Sequence, residues 1–219
     1  MKTSVATVPF MVLSHLLAIG AAFMVLVWCI HFRGGLAFES TNKSLIFNIH
    51  PVLMLIGIII LGGEAIISYK AIPLSKEVKK VIHLILHFFA FILGIVGIYA
   101  AYKYHNESSI ANFFTLHSWL GIGVICLCYT ASCRAKSLPW HGLFGLFVYL
   151  LAVATATLGF LEKLTFLEFG GLAKYGSEAF LINFTAIVTI LFGGSIVLIA
   201  VSPAPVEDVQ FLDSSKNHI

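Results

Sequence analysis

Charge is the scarcest property of this sequence. Only 11% of its 219 residues are Asp, Glu, Lys or Arg, and none of these lies between Val81 and Tyr102. Soluble domains carry about a quarter of their residues charged, so a water-soluble fold is excluded. The formal charge of +3 is small and scattered over the predicted loops, which excludes nucleic acid as a partner. Cysteine is scarce too: Cys29, Cys126, Cys128 and Cys133 are too few and too badly placed for a disulfide framework. Cys126 and Cys128 lie two apart in an apolar run, so on a helix their thiols point to different faces and read as packing.

What the chain has instead is apolar length. It is 59% hydrophobic, with a mean hydropathy of +0.99. Apolar runs recur at 8–31, 47–69, 81–104, 113–133, 140–161 and 179–201. At 1.5 Å per residue, about 20 residues of helix cross a hydrocarbon core of roughly 30 Å. The expectation is an all-α polytopic membrane protein, with six transmembrane helices in one bundle spanning 1–201. A polar tail over 202–219, with Pro203 and Pro205, is expected to be disordered. The first run is too long for the apolar part of a cleavable signal peptide. Lys2, Lys70, Lys76, Lys79, Lys80, Arg134 and Lys136 fall on one side of the alternating spans, against Arg33, Lys43, Lys103, Lys163 and Lys174 on the other. The bias places both termini in the cytosol. The sequons Asn42-Lys43-Ser44 and Asn106-Glu107-Ser108 then lie outside it.

The histidines carry the functional signal. Pro51 and Pro139 fit first helical turns and set His50 and His141 about one turn inside the membrane. His83 and His117 lie at the same depth in the third and fourth spans. The second and fourth spans start outside and the third and fifth start inside, so two pairs result: His50 with His117, and His83 with His141. Two neutral imidazoles from two helices are the ligation expected for a six-coordinate b-type haem used in electron transfer. His87, four residues after His83, shares its face, but no carboxylate or cysteine completes a metal site there. His15 lies mid-membrane and reads as a neutral histidine bonded to a neighbouring helix. Glu64 is the one ionisable group deep in the second span, either bonded to another helix or placed beside a cytosolic pocket. The lysines before His83 give an electropositive mouth suited to a small anion. Glu162 to Ser177 reads as an exterior loop, and Glu178 as an acid stabilising a helix N-terminus.

Taken together, Asn48-Ile49-His50-Pro51, Lys80-Val81-Ile82-His83, Leu116-His117-Ser118-Trp119, Pro139-Trp140-His141 and Gly159-Phe160-Leu161-Glu162-Lys163 resemble the cytochrome b561 family in its plant-type, ascorbate-dependent form. The resemblance covers nearly the whole chain. It implies two b haems held by the second to fifth helices in a homodimer embedded in membrane lipid. It also implies electron transfer from cytosolic ascorbate to monodehydroascorbate or a ferric chelate, in a vacuolar, other endomembrane or plasma membrane. By position it implies that Lys76, Lys80 and Arg134 line the ascorbate site and that His105 serves the exterior site. The family's fourth helix is longer and aromatic toward its cytosolic end; here only 16 residues separate His117 from Arg134. A tight hinge, and an impaired His83 and His141 site, follow as one alternative. A haem-free transporter whose histidines relay protons or bind divalent ions is the other.

Overall fold

The computed structural model describes residues 8–132 and 138–202. Arg134, Lys136, Lys2 and nearly all of the predicted tail lie outside these residues. All regular structure among the described residues is helical: α1 (Val8–Phe32), α2 (Ser44–Ala71), α3 (Lys76–Glu107), α4 (Leu116–Ser132), α5 (Leu138–Phe169) and α6 (Ser177–Val201). All but α4 are long and apolar enough to cross a membrane; α4 is the short one, with 17 residues. The protein is thus an integral, multi-pass membrane protein. The end of the bundle that carries the 72–75 turn is called inner below, and the end with the 33–43 and 108–115 connections outer.

Helix α6 packs against α1, α2 and α5, while α2 pairs with α3 and α4 with α5. Phe192, Ile196 and Ile199 of α6 are fully buried. The hydroxyls buried beside them donate to carbonyls of their own helix, Thr189 to Thr185 O at 2.8 Å, so these buried hydroxyls are satisfied. Leu84, Phe88, Ile92 and Tyr99 of α3 stay exposed, as a lipid-facing stripe does. Three glycines let α2 and α3 approach closely. A Cβ on Gly57 would meet Leu93 Cβ at 2.7 Å, one on Gly94 would meet Ile58 Cδ1 at 2.7 Å, and one on Gly97 would meet Met54 Sδ at 3.0 Å. These glycines serve helix contact.

Several helix ends depart from the apolar runs. The helix α3 starts at Lys76, with the Ser75 hydroxyl accepting from Val78 N–H at 3.4 Å, so the lysine cluster is helical. It continues to Glu107, past the end of the apolar run at 104. The loop expected from Glu162 is also corrected: α5 runs on to Phe169. Charge at the end of a span does not stop a helix, because long side chains reach the interface. What stops α5 is Gly171 at φ +98, with Leu172 N–H donating to Leu167 O at 2.9 Å.

Glu178 is more than an acid at a helix start. Its buried carboxylate accepts from Trp28 Nε1 at 3.0 Å and from the Arg33 guanidinium, fastening α6 to α1 across 145 residues. Removing one partner of such a pair strands the other charge, at a cost of about 3 kcal/mol. Glu178→Gln should therefore lower the melting temperature in detergent clearly, and an unchanged melting curve would show that the tie is not structural.

Candidate functional site

The four paired histidines each stand near the start of a helix, His50 on α2, His83 on α3, His117 on α4 and His141 on α5, whereas His105 stands in the last turn of α3. At the outer end the rings of His50 and His117 have centroids 5.9 Å apart, with planes at 89°. At the inner end those of His83 and His141 are 6.3 Å apart, with planes at 70°. With metal–nitrogen bonds of about 2.0–2.1 Å and each ring centre roughly 1.1 Å behind its nitrogen, a metal bridging two imidazoles sets the centroids about 6.3 Å apart. Both pairs stand close to that separation.

The second ring nitrogens show how the rings are aimed. Nδ1 of His50 lies 3.0 Å from Gly97 O, that of His83 lies 2.8 Å from Ala65 O, and that of His117 lies 2.9 Å from Thr155 O. An Nδ1–H that donates to a carbonyl fixes the tautomer and leaves the Nε2 lone pair for a metal. The anchors follow a register. Gly97 lies 14 residues after His83 and Thr155 lies 14 after His141, whereas Ala65 lies 15 after His50. The extra residue falls where α2 winds as a π-helix, over Met54–Leu61, and a π-helical turn takes up one added residue. Applied to α4, the register puts the carbonyl for His141 at Ala131 or Ser132, its last described turn. Among the described residues no carbonyl accepts from His141.

The outer pair opens on a cavity of about 690 Å³, lined also by Phe47, Tyr104, His105, Thr155, Gly159 and Lys163. The structure thus brings His105 into one space with His50 and His117. Gly159 is needed there, since a Cβ would lie 2.7 Å from His117 Cε1. Just before His50, the buried Asn48 donates to Gly35 O at 2.8 Å and Arg33 O at 3.2 Å, holding the 33–35 turn against α2. Beside the mouth, Lys43 pairs with Glu107 at 2.6 Å and Lys103 with Glu39.

At the inner end the lysines divide into two kinds. Lys70 donates to Ile199 O and Ala200 O at 2.9 and 2.8 Å, at the C-terminus of α6. Lys79, which is buried, donates to Tyr69 O at 3.0 Å, at the end of α2. Both satisfy carbonyls that a helix leaves open. Lys76 and Lys80 are exposed. His87 packs on His83 with centroids 4.5 Å apart. Deeper in, His15 Nε2 lies 3.4 Å from Glu64 Oε2, so Glu64 bonds a neighbouring helix. Groups of three or more metal-binding side chains are absent among the described residues.

Comparison with known proteins bears on this arrangement. Residues 49–135 and 128–167 match a family described as eukaryotic cytochrome b561. The chain is 61% identical over 224 residues to the probable ascorbate-specific transmembrane electron transporter 1 of Oryza sativa subsp. japonica, covering 95% of this chain and 96% of that protein. It is 66% identical over 202 residues to transmembrane ascorbate ferrireductase 1 of Arabidopsis thaliana, covering 85% and 84%. Against the transmembrane ascorbate-dependent reductase CYB561 of Mus musculus it is 34% identical over 214 residues, covering 88% and 84%.

These matches also locate a gap. Since 95% of 219 residues is about 208, about 16 of the 224 positions shared with the rice protein have no residue in this chain. The match to the Arabidopsis protein gives the same figure. The family match breaks into two stretches that overlap at 128–135, which puts the gap near the end of α4, before α5. That is where the register places the carbonyl for His141.

Proposed function

Because this chain belongs to the cytochrome b561 family, whose cofactor is haem b, we propose that it carries electrons across a membrane from ascorbate at the inner, cytosolic end to monodehydroascorbate or a ferric chelate at the outer end. The observation that carries this reading is the pairing of four imidazoles at metal-bridging separation, three of them with Nδ1 held by a backbone carbonyl. Two haems held by these pairs supply one-electron redox centres at both ends of the bundle. The apolar helices keep both centres away from water.

The chain's own side chains do the rest. Lys76 and Lys80, exposed beside the His83 end, attract the ascorbate anion and hold it by charge. Arg134, outside the described residues, is proposed as a third cation there. The donor gives up one electron and releases a proton to the cytosolic water. At the outer end the His105 imidazole faces the cavity and can pass a proton to an acceptor that gains an electron. The Nδ1–carbonyl bonds count against a proton-relaying transporter, because they fix those ring nitrogens as donors.

Lys80→Ala tests the donor site. Its reduction by ascorbate should slow about tenfold, as loss of one charge contact of about 1.4 kcal/mol would give, while haem content and reduction by dithionite stay as in the parent. Loss of haem instead would mean that Lys80 supports the fold.

A further inference from the structure

Lys163, a charge at the end of a span, also lines the outer cavity. Its Nζ stands 4.0 Å from the ring centre of Phe47 and 5.9 Å from that of Tyr104. Those two rings are 5.1 Å apart, and Phe47 lies 5.9 Å from the His50 ring. The ammonium is therefore clad by aromatic faces inside a mostly apolar space shared with His50, His117 and His105. Among the described residues no carboxylate lies within ion-pair distance of it: Glu178 is taken by Arg33, and Glu107 by Lys43 and Lys103. The adjacent Glu162 also lines the cavity but makes no ion pair with it. Aromatic faces attract a cation more weakly than a partner charge does, and a half-buried ammonium with no counter-charge favours an anion in the same cavity.

We propose that Lys163 is the carboxylate-binding residue of the outer site. This rests on the haem reading above and extends it. Two sources offer the same chemistry: a carboxylate of the haem held by His50 and His117, and a carboxylate on the electron acceptor at the cavity mouth. In either case the ammonium supplies a charge-assisted hydrogen bond, and Phe47 and Tyr104 hold it in place.

The test is Lys163→Met, which keeps the apolar stem and removes the charge, with Lys163→Arg as the charge-preserving variant. If the haem supplies the carboxylate, Lys163→Met loses haem from the outer site to apomyoglobin about tenfold faster than the parent, and its redox titration shifts for that haem alone. If the acceptor supplies it, haem loss is unchanged, and KM for iron(III)–EDTA, an anion rich in carboxylates, rises about tenfold, while reduction of the cation hexaammineruthenium(III) does not slow. In both cases Lys163→Arg restores most of the loss. Unchanged haem retention, potential and KM in Lys163→Met would overturn the proposal. A His117→Ala sample run alongside reads the haem assignment separately, because a failure there leaves a spectrum unlike the one a failure at Lys163 leaves.

Discussion

Gly159→Leu protein should purify with about half the haem of the parent, and the missing half should be the one that His50→Ala and His117→Ala each remove. A Cβ at position 159 would lie 2.7 Å from Cε1, 3.0 Å from Nδ1 and 3.3 Å from Nε2 of His117, so the ring cannot stay where it is. Any retreat from α5 breaks the 2.9 Å contact of Nδ1 with Thr155 O and turns Nε2 away from the iron. Losing a ligand costs the whole site, whereas the inner pair, on α3 and α5 at the other end of the bundle, is untouched. Gly194→Ala on α6, where an added Cβ meets nothing within 4 Å, is the matched control and should keep all its haem. Full haem content in Gly159→Leu would contradict the assignment of His117.

The second large effect separates the two ends. His50, His83 and His117 are each aimed by a carbonyl, whereas among the described residues no carbonyl aims His141. Removing such a second-layer hydrogen bond weakens metal binding by about 10- to 100-fold. Haem held by His83 and His141 should therefore pass to excess apomyoglobin faster by roughly that factor than haem held by His50 and His117. Comparing His117→Ala, which keeps only the inner site, with His141→Ala, which keeps only the outer one, reads the two rates apart. Equal rates would show that the gap of about 16 positions near 128–135 leaves the inner site intact.

Much of this site was legible in the sequence because its signals are of the kind a sequence carries. The ends of apolar runs place His50, His83, His117 and His141 at one depth, and alternation of the spans then pairs them. The spacing from His117 to Arg134 likewise exposed the short α4. The anchors were not legible: Gly97, Ala65 and Thr155 act through backbone carbonyls, which carry no residue-type signature, and one of them depends on a π-helical winding of α2. Lys163 and Glu178 were hidden differently. Each looks like an ordinary charge at a span end, and only packing brings Phe47 to the first and Trp28 and Arg33 to the second. In the sequence the lysine cluster is one feature, yet Lys70 and Lys79 close helix ends while Lys76 and Lys80 face outward.

The most direct test of the central claim is an optical spectrum of the purified protein, oxidised and then after ascorbate, with haem counted per chain. The paired histidines predict two low-spin, six-coordinate b haems per chain, both reduced by ascorbate. A protein that purifies without haem, or whose haem is high-spin and untouched by ascorbate, would contradict the account.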